Sequence, residues 1–160
     1  MALDPNELRR VMGHFATGVT VVTATDAELG QPFGLTANAV ASVSLEPPLV
    51  LACVDAGSDT LPRIRAACAF AISVLAADQE ALARRFAEGD AAEKFRDVAY
   101  RREATGAPVL EDALAWVDCR LWAEYPGGDH TIFVGEVVAG DARAGAPLIF
   151  FRGGYGRFWP

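Results

Sequence analysis

A mainly antiparallel β-barrel with a few short added helices is the fold class this sequence predicts, and three observations predict it. Runs of β-branched, aromatic or aliphatic residues of strand length recur from one end of the chain to the other. Helical periodicity is confined to three short stretches. The two kinds of segment do not alternate steadily, as the βαβ units of a parallel sheet would require. With 160 residues, 52% hydrophobic content, no internal repeat and no linker-like tract, a single domain over 1–160 is expected.

The elements follow in order. Asp4-Pro-Asn-Glu7 reads as a helix start, with Asp4 as cap, Pro5 at the first helical position and Glu7 reaching back as in a capping box. Leu8, Val11, Met12 and Phe15 form its apolar stripe, and Gly18 is expected to end it. Val19–Thr23 is a strand by its β-branching. Phe33–Ser44 mixes small and hydroxyl residues and closes at Glu46-Pro-Pro48, where prolines bar a helix. Leu49–Val54 is a continuous apolar run, expected to be a strand buried on both faces. The capping-rich loop Asp55–Thr60 leads to a short helix over Leu61–Ala67, then a strand over Phe70–Leu75. A helix over Asp78–Glu88 places Leu82 and Phe86 one turn apart on one face. After a polar connection with Lys94-Phe95 come Val109-Leu110, a strand over Ala115–Glu124, a turn at Pro126–Asp129, a strand from Thr131 and a last strand over Leu148–Phe151.

Several functions are disfavoured. The net charge of −7 and the lack of a basic run argue against nucleic acid. Met1–Glu7 lacks the positive start and apolar stretch of a signal peptide, and no run approaches the ~20 apolar residues that span a bilayer, so a cytoplasmic protein without a membrane partner is expected. Cys53, Cys68 and Cys119 are odd in number and sit in apolar runs, which reads as reduced core thiols. No Cys-x-x-Cys or His-x-x-x-His pair offers a metal site. Rossmann, P-loop and nucleophile-elbow motifs are also lacking.

Five segments carry candidate chemistry. His130 lies at a loop-to-strand junction, in Gly128-Asp-His-Thr-Ile-Phe-Val-Gly-Glu-Val137; it reads as a substrate-handling imidazole or as a turn brace. Thr36-Ala-Asn-Ala39 with Ser42 and Ser44 offers small side chains, hydroxyls and approachable backbone, suited to the edge of a planar heteroaromatic ring, or forms an ordinary polar strand and loop. Ser58 and Thr60 precede a helix and suit either a phosphate or simple capping, with Asp55 and Asp59 as unfavourable neighbours for an anion. Arg85-Phe86 and Lys94-Phe95 pair cations with aromatics, for a phosphate and a ring face or as solvated charges beside core residues. Phe151–Phe158 carries Tyr155 among glycines, either a stacking residue or part of a flexible end.

Taken in chain order and over nearly the whole chain, these segments resemble the flavin reductase-like family, small NAD(P)H:flavin oxidoreductases that supply reduced flavin to two-component monooxygenases. The resemblance rests on Phe15-Ala-Thr-Gly-Val-Thr-Val-Val-Thr23, Gly34-Leu-Thr-Ala-Asn38, Ser42-Val-Ser-Leu-Glu-Pro-Pro-Leu49, Phe70-Ala-Ile-Ser-Val-Leu75, Lys94-Phe95 and Gly128–Val137. It implies an antiparallel Greek-key split β-barrel that binds FMN or FAD, forms a homodimer, and passes reduced flavin to a separate monooxygenase. Carried over by position, Thr36, Ala37, Asn38 and Ala39 would line the isoalloxazine, and Ser42, Ser44, Ser58 and Thr60 would approach the ribityl and phosphate groups; Cys53 counts with the cofactor-binding set. Lys94 and Phe95 would sit near the phosphate end, His130 near the nicotinamide, and Tyr155 where a C-terminal aromatic closes the site. Ala39 stands where a serine is common and Asp55 where an asparagine is common. The implied reaction is hydride transfer from nicotinamide C4 to flavin N5, with NADH favoured over NADPH because no arginine cluster announces a 2′-phosphate site. Two other readings stay open: a barrel flavoprotein that retains FMN and reduces another acceptor, and a noncatalytic flavin-binding module.

Overall fold

The computed structural model describes residues 1–159. Helix α1 (Pro5–Met12) begins as its sequence directs: Asp4 is extended and accepts hydrogen bonds from the amides of Asn6 at 2.9 Å and Glu7 at 3.4 Å. Two expectations fail here. Glu7 does not reach back to close a capping box but pairs with Arg10, one turn on. The helix stops at Gly13, whose amide donates to Arg9 O at 2.8 Å, while Gly18 lies in strand β1 (Thr17–Gly18).

The centre of the molecule is a seven-stranded sheet of antiparallel neighbours in the order β3 (Pro32–Ala37), β2 (Thr20–Thr25), β6 (Ala69–Val74), β9 (Ala115–Gly127), β10 (His130–Ala142), β5 (Pro48–Asp55), β4 (Val40–Leu45). Its two edge strands, β3 and β4, are consecutive in the chain and joined only by Asn38 and Ala39. Three Cα–Cα steps reach about 11 Å, whereas the edges of a flat seven-stranded sheet lie about 29 Å apart. The sheet must therefore curl until its edges nearly meet, giving a split barrel, and the amide of Cys53 donates to Ala39 O at 2.9 Å beside the seam.

Strands β2 and β6 are buried almost throughout because both of their faces are covered. Val22, Val54, Phe70, Phe133 and Ile64 of helix α2 (Thr60–Ala67) form one core, Val21, Leu75, Leu110, Leu148 and Phe86 of helix α3 (Glu80–Glu88) form a second, and Ala71, Ala107 and Val109 form a small third. Leu49–Val54 does not share that double burial: within β5 only Ala52 and Val54 are fully buried. The strand lies next to an edge, and its other face, with Leu51 and Cys53, opens on a cleft.

The β9–β10 hairpin turns at Gly128-Asp129, with Gly128 at φ +76° as a two-residue turn of this kind requires. Gly135 admits Phe70, whose ring would lie 2.6 Å from any added Cβ. Short helix α4 (Ala91–Lys94) occupies the polar connection, and strands β7 (Tyr100–Arg102) and β8 (Pro108–Leu110) pair beyond it. The C-terminal segment is no loose end. Strands β11 (Leu148–Phe151) and β12 (Gly154–Arg157) form a hairpin through Arg152 (φ +50°) and Gly153 (φ +79°), β11 also pairs with β1, and the Arg152 amide donates to Gly13 O at 2.8 Å. Of the cysteines, Cys119 is buried, Cys53 half-buried, and Cys68 exposed rather than in the core, since it caps the end of α2 in the left-handed region.

Candidate functional site

A cleft of about 710 Å³ opens beside the seam of the barrel, between the C-terminal end of α1 and the walls formed by β1, β4 and β5. Its volume falls among those of cofactor and substrate pockets, roughly 300–1,000 Å³. Asn38, Ala39 and Cys53 line it, as do Phe15, Thr17 and Leu51. The Asn38-Ala39 link is in the wall because it must cross the seam, and Cys53 because its side chain points to the outer face of β5.

The remaining ring-platform residues lie elsewhere. Ala37 is buried in the core, and Thr36 Oγ1 donates to Ala83 O at 2.6 Å, which ties β3 to α3. Ser42 is exposed on edge strand β4. One residue on, a bulge interrupts pairing with β5, and Ser44 Oγ accepts the Glu46 amide at 3.2 Å, bracing the turn into β5.

A second group gathers at the N-terminus of α2. Ser58 Oγ accepts the Thr60 amide at 3.1 Å, so it acts as a local cap, and Thr60 itself is 1% exposed. Asp55 is likewise turned onto its own loop, accepting the Gly57 amide at 2.7 Å. Lys94 Nζ donates to Gly34 O at 3.1 Å. Burial lowers the pKa of its ammonium, and the charge of nearby Asp59 opposes that shift. Phe95, by contrast, meets Phe86 edge-on at 4.9 Å and Tyr100 at 5.4 Å and packs, half-buried, against the core. Arg85 donates to Arg96 O at 2.9 Å.

His130 opens β10, directly across from Asp55 of β5. Because side chains alternate along strands and Ile132 pairs with Cys53, His130 lies on the same sheet face as Cys53, two residues or roughly 7 Å beyond it. It therefore stands past one end of the cleft rather than in its wall. His130 Nδ1 is 2.7 Å from Asp129 Oδ1, and that hydrogen bond holds the Asp129 carboxyl below the usual range, while Asp129 O accepts the Ala56 amide at 3.0 Å. Nε2 has no hydrogen bond among the described residues.

Tyr155 is not in the cleft. It meets Phe150 edge-on at 5.5 Å, lies under the Arg84 guanidinium at 4.9 Å and packs, half-buried, against the core beneath α3, where burial raises the pKa of its hydroxyl. Its strand pairs with β11, which pairs in turn with Thr17-Gly18 of the cleft wall.

Sequence reasoning missed the N-terminal contribution to the cleft: Met12, Phe15, Thr17 and Gly18. The signal was an apolar stripe on a helix that buries none of its residues. Among the described residues, no cluster of three or more His, Cys, Asp or Glu side chains could hold a metal ion, and no helix is long and apolar enough to cross a membrane. The cleft suits a flat heteroaromatic ring: its walls are largely apolar, Asn38 and Thr17 add polar groups, and Gly18 has open space where a Cβ would stand.

Comparison with known proteins supports the fold. Residues 12–158 match the family model described as the flavin reductase like domain. The chain is 46% identical over 158 residues to the reductase component of a 4-nitrophenol 4-monooxygenase/4-nitrocatechol 2-monooxygenase from Rhodococcus opacus, covering 99% of this chain and 83% of that one. It is 47% identical over 155 residues to the FMN reductase (NADH) SmoA from Agrobacterium fabrum, covering 97% and 87%. Among solved structures, the Streptomyces globisporus NADH:FAD oxidoreductase SgcE6 superposes with a TM-score of 0.91 at 43% identity, covering 100% of this chain and 98% of that one. With the match running across nearly the whole split barrel and its seam, the chain belongs to the flavin reductase-like domain family.

Proposed function

We propose that this protein is an NADH-dependent flavin reductase that takes FMN or FAD as its flavin and delivers it, reduced, to a separate monooxygenase. The observation that carries this is the cleft at the barrel seam, with Asn38 and Ala39 in its wall and His130 on the same sheet face just past its end. Relatives named as NADH-dependent reductases of FMN and of FAD support the activity. Relatives named as reductase components of a monooxygenase and of a tryptophan halogenase support the delivery role.

In this reading the bound flavin supplies the hydride-accepting ring, and the chain supplies placement. Asn38, Ala39 and Cys53 hold the ring in the cleft. Lys94 and the Ser58–Thr60 loop form the phosphate end. Lys94 meets Gly34, four residues before Asn38, or roughly 13 Å along an extended strand. His130, steadied by Asp129 at Nδ1, presents Nε2 to the nicotinamide. Alignment of two bound rings is itself a large catalytic effect, drawing on the ~7–11 kcal/mol available from proximity and orientation. The remaining assigned residues act through the scaffold: Thr36 and Ala37 fix β3, Ser42 and Ser44 shape the edge, and Phe95 and Tyr155 pack beneath α3.

The chain works as one domain over 1–160, in the cytoplasm and as a homodimer. Dimerisation is favoured by the apolar side chains left uncovered on and just after α1 and on edge strand β4, among them Phe15, 72% exposed, and Leu45, 91% exposed. The test is oxidation of NADH or NADPH under air by the purified protein, crossed against FMN, FAD and no flavin. Oxidation that requires added flavin is expected. No oxidation in any combination overturns the reading.

A further inference from the structure

The motif Phe15-Ala-Thr-Gly-Val19 contributes a residue to the cleft wall that the flavin-contact residues assigned above do not include. Thr17 Oγ1 is buried and, among the described residues, is the one buried side-chain nitrogen or oxygen without a hydrogen-bond partner. Such an atom is rare in a folded protein and destabilises it. The other nearby hydroxyl, Thr20 Oγ1, is already engaged, donating to Ala37 O at 2.6 Å. Thr17 sits in two-residue strand β1, paired with Phe150, and the neighbouring Gly18 has nothing within 4 Å of where a Cβ would stand. The backbone is thus fixed while the space beside it is open.

We infer that Thr17 is a flavin-binding residue whose hydroxyl gains its missing partner only when the ring fills the cleft. Rotation about Cα–Cβ carries Oγ1 to another of the three staggered positions, so the hydroxyl can turn to the cleft without backbone movement. A flavin edge alternates ring nitrogens with carbonyl oxygens, and a hydroxyl serves either as donor or as acceptor. This rests on the proposed placement of the flavin in the cleft.

The inference predicts opposite effects on stability and on affinity. Thr17→Val keeps the β-branched shape and removes the orphan hydroxyl. Its flavin-free form should melt at least about 1 °C higher than wild type. Its Kd for FMN and FAD, measured by fluorescence quenching, should rise about tenfold, equivalent to about 1.4 kcal/mol. Thr17→Ser, which restores a hydroxyl, should recover most of that affinity. A Kd within twofold of wild type in Thr17→Val overturns the inference, as does lower stability in the flavin-free variant, which would make the hydroxyl a structural brace. If the wild-type protein itself binds neither flavin, the placement of the ring fails along with it.

Discussion

His130 and Lys94 are the two side chains whose proposed roles separate most cleanly. One nitrogen of His130 is held by Asp129 at 2.7 Å and the other is free to meet a ligand. Replacing it with alanine should raise KM for NADH about tenfold, the size of one lost hydrogen bond to a charged or polar group. The Kd for flavin should stay within twofold, and equal losses in both would rule out a nicotinamide role. Lys94 is a half-buried cation anchored on Gly34 O, with no carboxylate within ion-pair distance among the described residues. If it serves a phosphate, Lys94→Met should weaken FMN binding several-fold while leaving riboflavin, which has no phosphate, nearly unaffected. Titrations of both ligands decide this, and a parallel loss would reduce Lys94 to a scaffold residue.

At the scale of elements, the connection between β2 and β3 is held by Asp26. Its carboxylate accepts the amides of Leu29 at 2.9 Å and Glu28 at 3.0 Å and reaches Arg63 of α2 at 3.3 Å, so it ties a hairpin turn to a helix. These bonds, the backbone ones foremost, hold its pKa below the usual value. A carboxyl whose folded pKa is lowered stabilises the fold fully above the unfolded value of about 3.9, and that contribution is lost as pH falls through the lower folded value. Asp26→Asn should therefore be less stable than wild type at pH 7, with the gap closing in acid as pH falls below the unfolded value and through the lowered folded one. A gap in denaturant midpoint that is constant with pH would mean that shape rather than charge makes the bond.

For the whole molecule, the uncovered apolar surface is the informative property. Helix α1 buries none of its residues, yet Leu8, Val11 and Met12 are on its surface and Phe15 is exposed just beyond its end, and edge strand β4 leaves Val43 and Leu45 open. An edge strand with apolar side chains is a site for association. Sedimentation should find a dimer, and the pair Phe15→Glu with Leu45→Glu should shift it to monomer while the isolated fold survives, since neither side chain is in the core. A wild-type monomer at micromolar concentration would refute the assignment.

The sequence by itself determined much of the architecture, because the relevant signals are local. β-branching marked most of the strands, Asp4 and Pro5 the first helix, and glycine-rich turns the hairpins; the ordered motifs pointed to the family. Local signals compete even within one turn: Glu7 met Arg10 instead of the helix start. Nor do they extend to partners distant in the chain: Leu49–Val54 was exposed on one side because it lies next to an edge that only the sheet order reveals. The tertiary structure also separated residues that the resemblance had grouped: Asn38, Ala39 and Cys53 meet at the cleft, while Thr36 is tied to Ala83, Phe95 and Tyr155 pack half-buried against the core, and His130 stands past the cleft's end. The physical reason is the curl of the sheet. A two-residue link forces β3 and β4 together, and that closure, which no local pattern encodes, decides which side chains share a cavity.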